Sequence, residues 1–532
     1  MRTYKRLAVL AFVLTTARFA PPAVLGQKNP ANKPRPGGTL RMKPLTNIFK
    51  QKLDPAGSPY RFVIEQLYDG LVRLDADLNV VPAAAEYWVI SEDGKRITFY
   101  LKKGVTFHNG RELTAEDVKF SLERLIRGAG RAPYYQYFAG KVVGVEAFHE
   151  DKADGVEGFR VVDKYTFEIE WSHAYVSGLY LLGMSFCKIL PRDLVLEKGD
   201  DFFLKPCGTG AFKFAYWVRS PGLDPVGIRL ERNEAYFGRP PHLDAIEFSP
   251  YYTLTQFTNG EVHIIPFLSD SLSGDDFQIL EYDSLETAFL GFSCRLFPLD
   301  RVDVRIALSI GIDEKRLVEA AYTTASVPLA TNNYISPKIP GFFPREESDL
   351  YDPEKARRIL EAGGFIGEEG FPELTVYFFL PKKEIHFKVY RELRRQLALL
   401  GIGVQMRYPK SREEMKSVKS PYLVFMEWPI EFPDPENIVR PLFHSESEVN
   451  LAAFHYQNSD IDALIKKSEL EMSWEKRVEL FRKMEAILAS EMPAVPLYTV
   501  RERIALQPEV RGVKITPLGV DYLDARDVWL AR

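Results

Sequence analysis

Glu86-Tyr87-Trp88, Ser91-Glu92-Asp93-Gly94, Arg96-Ile97-Thr98-Phe99-Tyr100-Leu101, Gly104-Val105-Thr106-Phe107-His108-Asn109-Gly110 and Leu113-Thr114-Ala115-Glu116-Asp117-Val118 follow one another within residues 86–121. Asp93-Gly94 is a hairpin turn signal. Ile97, Phe99 and Leu101 alternate with Arg96, Thr98 and Tyr100, the period of a half-buried strand. Asn109-Gly110 marks the next turn. Thr114 with Asp117 makes a capping box, after which Val118, Leu122 and Leu125 fall on one helical face. The stretch predicts a strand pair followed by a helix. From the residues alone, that is an α/β unit and nothing more specific.

At the start of the chain, Arg2, Lys5 and Arg6 precede an apolar run from Leu7 to Leu14. The run is too short to span a bilayer comfortably and small residues follow it, so it reads as a secretory signal. Cleavage is expected before Gln27, after Val24-Leu25-Gly26; cleavage after Ala20 is the alternative, disfavoured by Pro21. An uncleaved anchor helix is the other reading of this run. No cysteine lies near either site, which argues against a lipid-modified terminus. No later run approaches the roughly 20 apolar residues that a membrane crossing needs. Residues 1–26 carry Arg2, Lys5, Arg6 and Arg18 and no acid, so their loss moves the net charge from −4 to about −8. That balance argues against nucleic acid or an anionic membrane surface as partner.

The 36 Phe and 26 Tyr suit large cores or a cleft that accepts varied apolar side chains. Of the three cysteines one is left over if a pair bridges in an oxidising compartment; Cys187 and Cys207 flank one loop and could be that pair, which the sequence leaves open. No cysteine has metal-ligand spacing. Tyr60 to Leu71 presents Phe62, Ile64, Leu67, Tyr68 and Leu71 as a helical apolar face. Pro353 stands at the first helical position after Asp352, and Gly363 ends that helix. A strand from Glu373, a helix over Arg391–Leu400 and Gly401-Ile402-Gly403-Val404 then alternate as in a second α/β lobe. Gly208-Thr209-Gly210 lacks a following Lys-Ser/Thr, so it is not a P-loop; its glycines are expected to serve a tight turn.

An acid and Trp, Ser-x-Asp-Gly, an alternating strand, Phe-His-Asn-Gly and Leu-Thr-Ala-x-Asp-Val, in that order, closely resemble the peptide/nickel-type (family 5) solute-binding proteins of ABC importers. The resemblance recurs at Gly37-Gly38-Thr39-Leu40, Leu53-Asp54-Pro55, Tyr68-Asp69-Gly70-Leu71, Cys207 to Lys213, Arg232 to Gly238, Val304 to Lys315 and Tyr351 to Phe365. Cys207 and Ala211 depart from the family pattern in detail. The resemblance covers nearly all of residues 36–532. It implies a two-lobed α/β clamshell of the class II periplasmic-binding-protein type, with an additional smaller domain. The implied order is a signal peptide over 1–26, lobe I over 27–72, the small extra domain over 73–190 and lobe I again over 191–292. Lobe II then covers 293–498, and 499–532 return to lobe I.

The same resemblance places the ligand. Peptide-binding members carry [GA]-Trp-x-x-Asp-x-x-[DE]-Pro, where the first Asp holds a ligand α-ammonium. Here the stretch is Trp428-Pro429-Ile430-Glu431-Phe432-Pro433-Asp434-Pro435. Glu431 occupies the Asp position with an extra methylene, which moves the carboxylate by about 1 Å. Glu431 is therefore either a ligand contact or a buried structural carboxylate paired with an Arg. Trp428 lines the cleft or packs in a core. Asp434, Tyr137 and the loop Gly57-Ser58-Pro59 complete the candidate ligand-binding residues, against packing and turn roles. Arg407 and Arg440 are candidates for a ligand carboxylate, because a guanidinium matches it bidentately.

The implied protein is a periplasmic monomer with no cofactor. It captures a peptide or peptide-like solute and delivers it to permease subunits in the inner membrane. Nickel or metallophore binding, oligosaccharide binding and a sensor or chaperone role remain the alternatives. The eight His form no tight pair, so no metal site is expected. Neither Gly-x-Ser-x-Gly nor His-Glu-x-x-His occurs, so no catalytic residues and no enzyme activity are expected.

Overall fold

The computed structural model describes residues 33–44, 51–127, 134–219, 225–266, 276–322, 329–331, 333–339, 341–342, 351–366, 370–379 and 384–531. The signal expected over residues 1–26 lies outside them. The alternation at Arg96–Leu101 produces a strand with Ile97, Phe99 and Leu101 buried. It pairs antiparallel with Ala85–Ile90 across a turn in which Gly94 has φ +69°. The helix Ala115–Ile126 begins on the Thr114/Asp117 capping box and buries Val118, Leu122 and Leu125. Phe159–Asp163 and Thr166–Glu170 complete a four-stranded antiparallel sheet with its own core.

Among the described residues the main sheet has eleven strands, and two long antiparallel ones, Gln278–Phe292 and Ala494–Leu506, run through its middle. Their register slips between Asp283 and Thr287. On one side of the slip lie Ile264–Pro266, Thr39–Met42, Ala245–Phe248, Pro225–Arg232 and Phe212–Arg219. On the other, Tyr422–Trp428 joins the sheet and is followed by Leu374–Phe378 and Val404–Arg407, which run parallel to one another. The molecule is thus a two-lobed α/β fold, with the long strand pair passing from lobe to lobe.

The burial of Tyr422–Trp428 shows why this lobe is closed on both faces. Leu423 and Phe425 pack into one core while Tyr422, Val424 and Met426 pack into another. A near-continuous apolar run is the expected signature of a strand covered on both sides. In the first lobe, Val510, Val520, Leu523 and Val528 pack with Leu40, Phe62 and Ile246, so the C-terminal segment closes that core.

Two details differ from the sequence reading, and one that it left open is decided. The helix after Pro59 is only Arg61–Leu67, because the chain turns extended at Tyr68 to seat Gly70 against the carbonyls of Leu182 and Cys187. Gly208 and Gly210 serve close approach rather than a turn. A Cβ there would meet the Leu67 and Gln66 carbonyl oxygens at 2.0 and 2.2 Å. The three cysteines are free thiols. Cys187 is enclosed in the core of the four-stranded sheet, and Cys207 packs half-buried at that core's margin.

Candidate binding cleft

The loop from Trp428 to Pro435 is held rigidly from behind. The Trp428 indole donates to the Asn437 carbonyl at 2.8 Å, and the Asn437 side-chain oxygen accepts the Glu431 N–H at 2.9 Å. The Asp434 carboxylate accepts both terminal nitrogens of Arg477, at 2.6 and 3.0 Å, and the N–H of Glu436. The Asp434 and Arg477 side chains are 0 and 1% exposed. Asp434 is therefore removed from the candidate ligand contacts: its carboxylate is sealed from the cleft and taken up in positioning the loop.

Three residues earlier the environment inverts. Glu431 accepts a hydrogen bond from Arg61 at 2.9 Å, but these side chains keep 23 and 36% of their surface. Of the two sequence readings, pairing with an Arg is present and full burial is not. Arg61 opens the helix that follows Gly57-Ser58-Pro59. That loop is a turn in which the Asp54 carbonyl accepts the Gly57 and Ser58 N–H groups, at 3.0 and 2.8 Å. Gly57 is exposed, and a Cβ placed on it would have nothing within 4 Å. The Ser58 hydroxyl accepts the Tyr60 N–H at 3.2 Å.

An aromatic wall stands beside the Arg61–Glu431 pair. Tyr134 stacks on Phe186 at 3.9 Å between ring centroids, Tyr137 stacks on Tyr134 at 6.2 Å, and Phe432 meets Tyr137 edge-on at 6.2 Å. Burial and the Glu431 charge raise the Tyr137 phenol above its ordinary range, so it remains a neutral donor. Trp428 is half-buried and packs at the edge of a core. Arg440 is engaged by Glu469, and Arg407 is exposed on the edge strand Val404–Arg407, so neither joins this group.

The fold adds residues that sequence reasoning missed. Asp521 is half-buried; burial raises its carboxyl to about 6, partly opposed by Arg61. Glu502 lies on the long strand Ala494–Leu506, and burial followed by the Asp521 charge raises it to about 7. The Tyr282 hydroxyl donates to Glu502. Neither carboxyl has a Lys, Arg or His at ion-pair distance among the described residues. Glu431 and Asp521 thus share the electrostatic influence of one arginine, and Glu502 feels the Asp521 charge. The only sequence signal for Arg61 was its position one turn beyond the Gly57 loop, and none marked Glu502 or Asp521.

Beyond Tyr522 a second hollow of about 630 Å³, its mouth included, is lined by Glu65, Asp69, Lys188, Tyr236 and Asp524. Its lining is ion-paired, Lys188 with Glu65 at 2.7 Å and Arg526 with Asp524 at 2.5 Å, while the neutral Tyr236 hydroxyl donates to Asp69 at 3.1 Å. By contrast, Glu431 and Asp521 face a single guanidinium at Arg61, and Glu502 adds a carboxyl beside Asp521. His108 is spent structurally, with Nδ1 accepting the Gly208 N–H and Nε2 donating to the Gly210 carbonyl, and burial lowers it to about 4.

The family profile described as bacterial extracellular solute-binding proteins, family 5 Middle, matches residues 79–450. The chain belongs to this family. Among its relatives, the family 5 chain is 26% identical over 506 residues to the dipeptide-binding protein of Escherichia coli, covering 90% of this chain and 91% of that one. It is 27% identical over 500 residues to heme-binding protein A of Haemophilus influenzae, covering 89% of each. In fold it resembles the periplasmic binding protein DppA of Helicobacter pylori, solved with the peptide STSA, with a TM-score of 0.71 at 22% identity. That match covers 94% of this chain and 99% of the other. Among the described residues, no helix is long and apolar enough to cross a membrane.

Proposed function

We propose that this family 5 protein captures a peptide or peptide-like solute in the cleft beside Glu431 and delivers it to the permease of an ABC importer. The observation that carries the reading is the contrast between two carboxylates of one loop: Asp434 is sealed by Arg477, while Glu431 stays reachable from the cleft. A ligand α-ammonium entering there meets Glu431, whose partner Arg61 is also faced by Asp521. Tyr137 offers a large apolar surface with a polar tip to the neighbouring side chains, and Trp428 offers apolar surface alone, its indole N–H being held by Asn437. The Gly57 and Ser58 N–H groups are spent on Asp54 and Pro59 has none, so the backbone there offers carbonyl acceptors, which give affinity without side-chain selectivity. The peptide preference is in keeping with the relatives named for dipeptides and the one solved with a peptide.

In this reading the protein acts as a monomer in the periplasm after losing residues 1–26, and its partner is the inner-membrane permease. Calorimetric titration with trialanine and with N-acetyl-trialanine tests the site. Binding of the free amine with about tenfold or greater loss for the acetylated form supports Glu431 as ammonium acceptor. Equal affinity for both would remove Glu431 from that role.

A further inference from the structure

Among the described residues, the core of the four-stranded sheet is built from residues between Leu71 and Ile189, with one buried member from elsewhere: Phe432. Phe432 follows Glu431 directly, belongs to the opposite lobe and is 1% exposed. It inserts between lobes rather than packing beside its own strand. Two polar links flank it. Lys141 donates to Glu436 at 2.7 Å and to the Tyr175 hydroxyl at 2.8 Å, with its ammonium 4.4 Å from the centre of the Tyr175 ring. Arg477, already bound to Asp434, donates to the Ser177 hydroxyl at 3.1 Å. Lys141, Tyr175 and Ser177 come from the small-sheet body; Phe432, Glu436 and Arg477 come from the second lobe.

The energetics of these links are asymmetric. The Lys141 and Glu436 side chains are 12 and 3% exposed, and the second Glu436 oxygen is buried with no hydrogen-bond partner. A buried ion pair adds little net stability over well-packed apolar groups, because desolvation offsets attraction. Removing one partner is costly, since the other is left charged and dry. Parting the lobes rewets both ions and exposes the Phe432 ring together. The contact therefore behaves as a unit that is made or lost with the approach of the lobes.

We propose that Phe432 and the Lys141–Glu436 pair form a clasp that holds the two lobes together and so sets the residence time of a captured solute. They are positioning residues: they fix the loop that carries Glu431 against the aromatic wall of Tyr134 and Tyr137 without themselves forming the ammonium site. The inference rests on capture between lobes but not on the ligand being a peptide.

The test is a spin-label distance measurement between the lobes of the full chain, with no solute added, on wild type, F432A, F432L and K141M. Thermal melts accompany each variant so that unfolding is not mistaken for opening. The ratio of long to short distances should rise about tenfold or more in F432A and K141M, and less in F432L. The double variant K141M/E436L, which removes both charges, should return most of the short-distance population lost in K141M. Release of trialanine should quicken in F432A, with the association rate changed less. Unaltered distance distributions in folded F432A and K141M would overturn the clasp. Failure of wild type to bind trialanine, with the distance shifts present, would overturn the peptide reading and leave the clasp standing.

Discussion

Glu431 and Asp434 stand three residues apart in one Pro-rich loop and lie in opposite surroundings. Asp434 is locked in a two-pronged pair with a fully buried arginine, so Arg477→Met leaves an unpaired buried carboxylate and should cost about 3–5 kcal/mol of stability in chemical denaturation. Glu431→Gln keeps the loop, because the main-chain bond to Asn437 remains, and should leave the melting temperature nearly unchanged. Its effect belongs in binding: a loss of about tenfold to a hundredfold for free-amine peptides, read by calorimetry. The other cleft carboxyls give a pH signature. Asp521 and Glu502 are raised to about 6 and about 7, so they ionise later in the folded protein than in the unfolded chain. Their contribution to stability is greatest at acid pH and fades as pH rises through those values. A cationic ligand favours the ionised forms, so its affinity should rise between about pH 5 and pH 8, with protons released on binding near pH 6.5. Titrations in two buffers of different ionisation enthalpy measure that release; a pH-independent affinity would exclude these carboxyls from the ligand's field.

At the scale of elements, the loop Cys207–Gly210 couples the motif-bearing stretch to the first lobe. His108 exchanges hydrogen bonds with Gly208, and Thr209 donates to Asp69 at 3.0 Å beside the backbone of Leu67. The glycines permit this because the neighbouring carbonyl oxygens occupy the place of any side chain. Gly210→Ala should destabilise the protein by about 3 kcal/mol, since backbone must move to admit the methyl group. Thermal unfolding monitored by circular dichroism checks it, with Gly57→Ala as the contrasting variant, where space is open and little change is expected.

At the scale of the whole molecule, the two long strands tie the lobes, and the C-terminal segment ties both the first core and the cleft. Val520 and Leu523 are buried in that core while Asp521 and Tyr522, between them, face the Arg61 group. Removing residues 507–532 should therefore abolish cooperative unfolding and binding together, as measured by circular dichroism and peptide titration. A truncated chain that melts sharply would show that the first lobe closes without its tail.

Local order was legible in the sequence wherever neighbours within a few residues decide the energy. The alternation of Arg96–Leu101, the Thr114–Asp117 cap, the Asp352 cap with Pro353 and the acid-bearing loop after Tyr422–Phe425 all depend on such neighbours. The repeated motifs also carried the two-lobed α/β family fold. What sequence left open was which acid faces solvent, which cation answers it and how the lobes meet. Those outcomes depend on residues separated along the chain by hundreds of positions, such as Arg61 with Glu431 and Lys141 with Glu436. Two carboxylates in one loop have nearly the same local chemistry. Only the packed lobes give one of them a buried guanidinium and leave the other part-exposed beside Arg61.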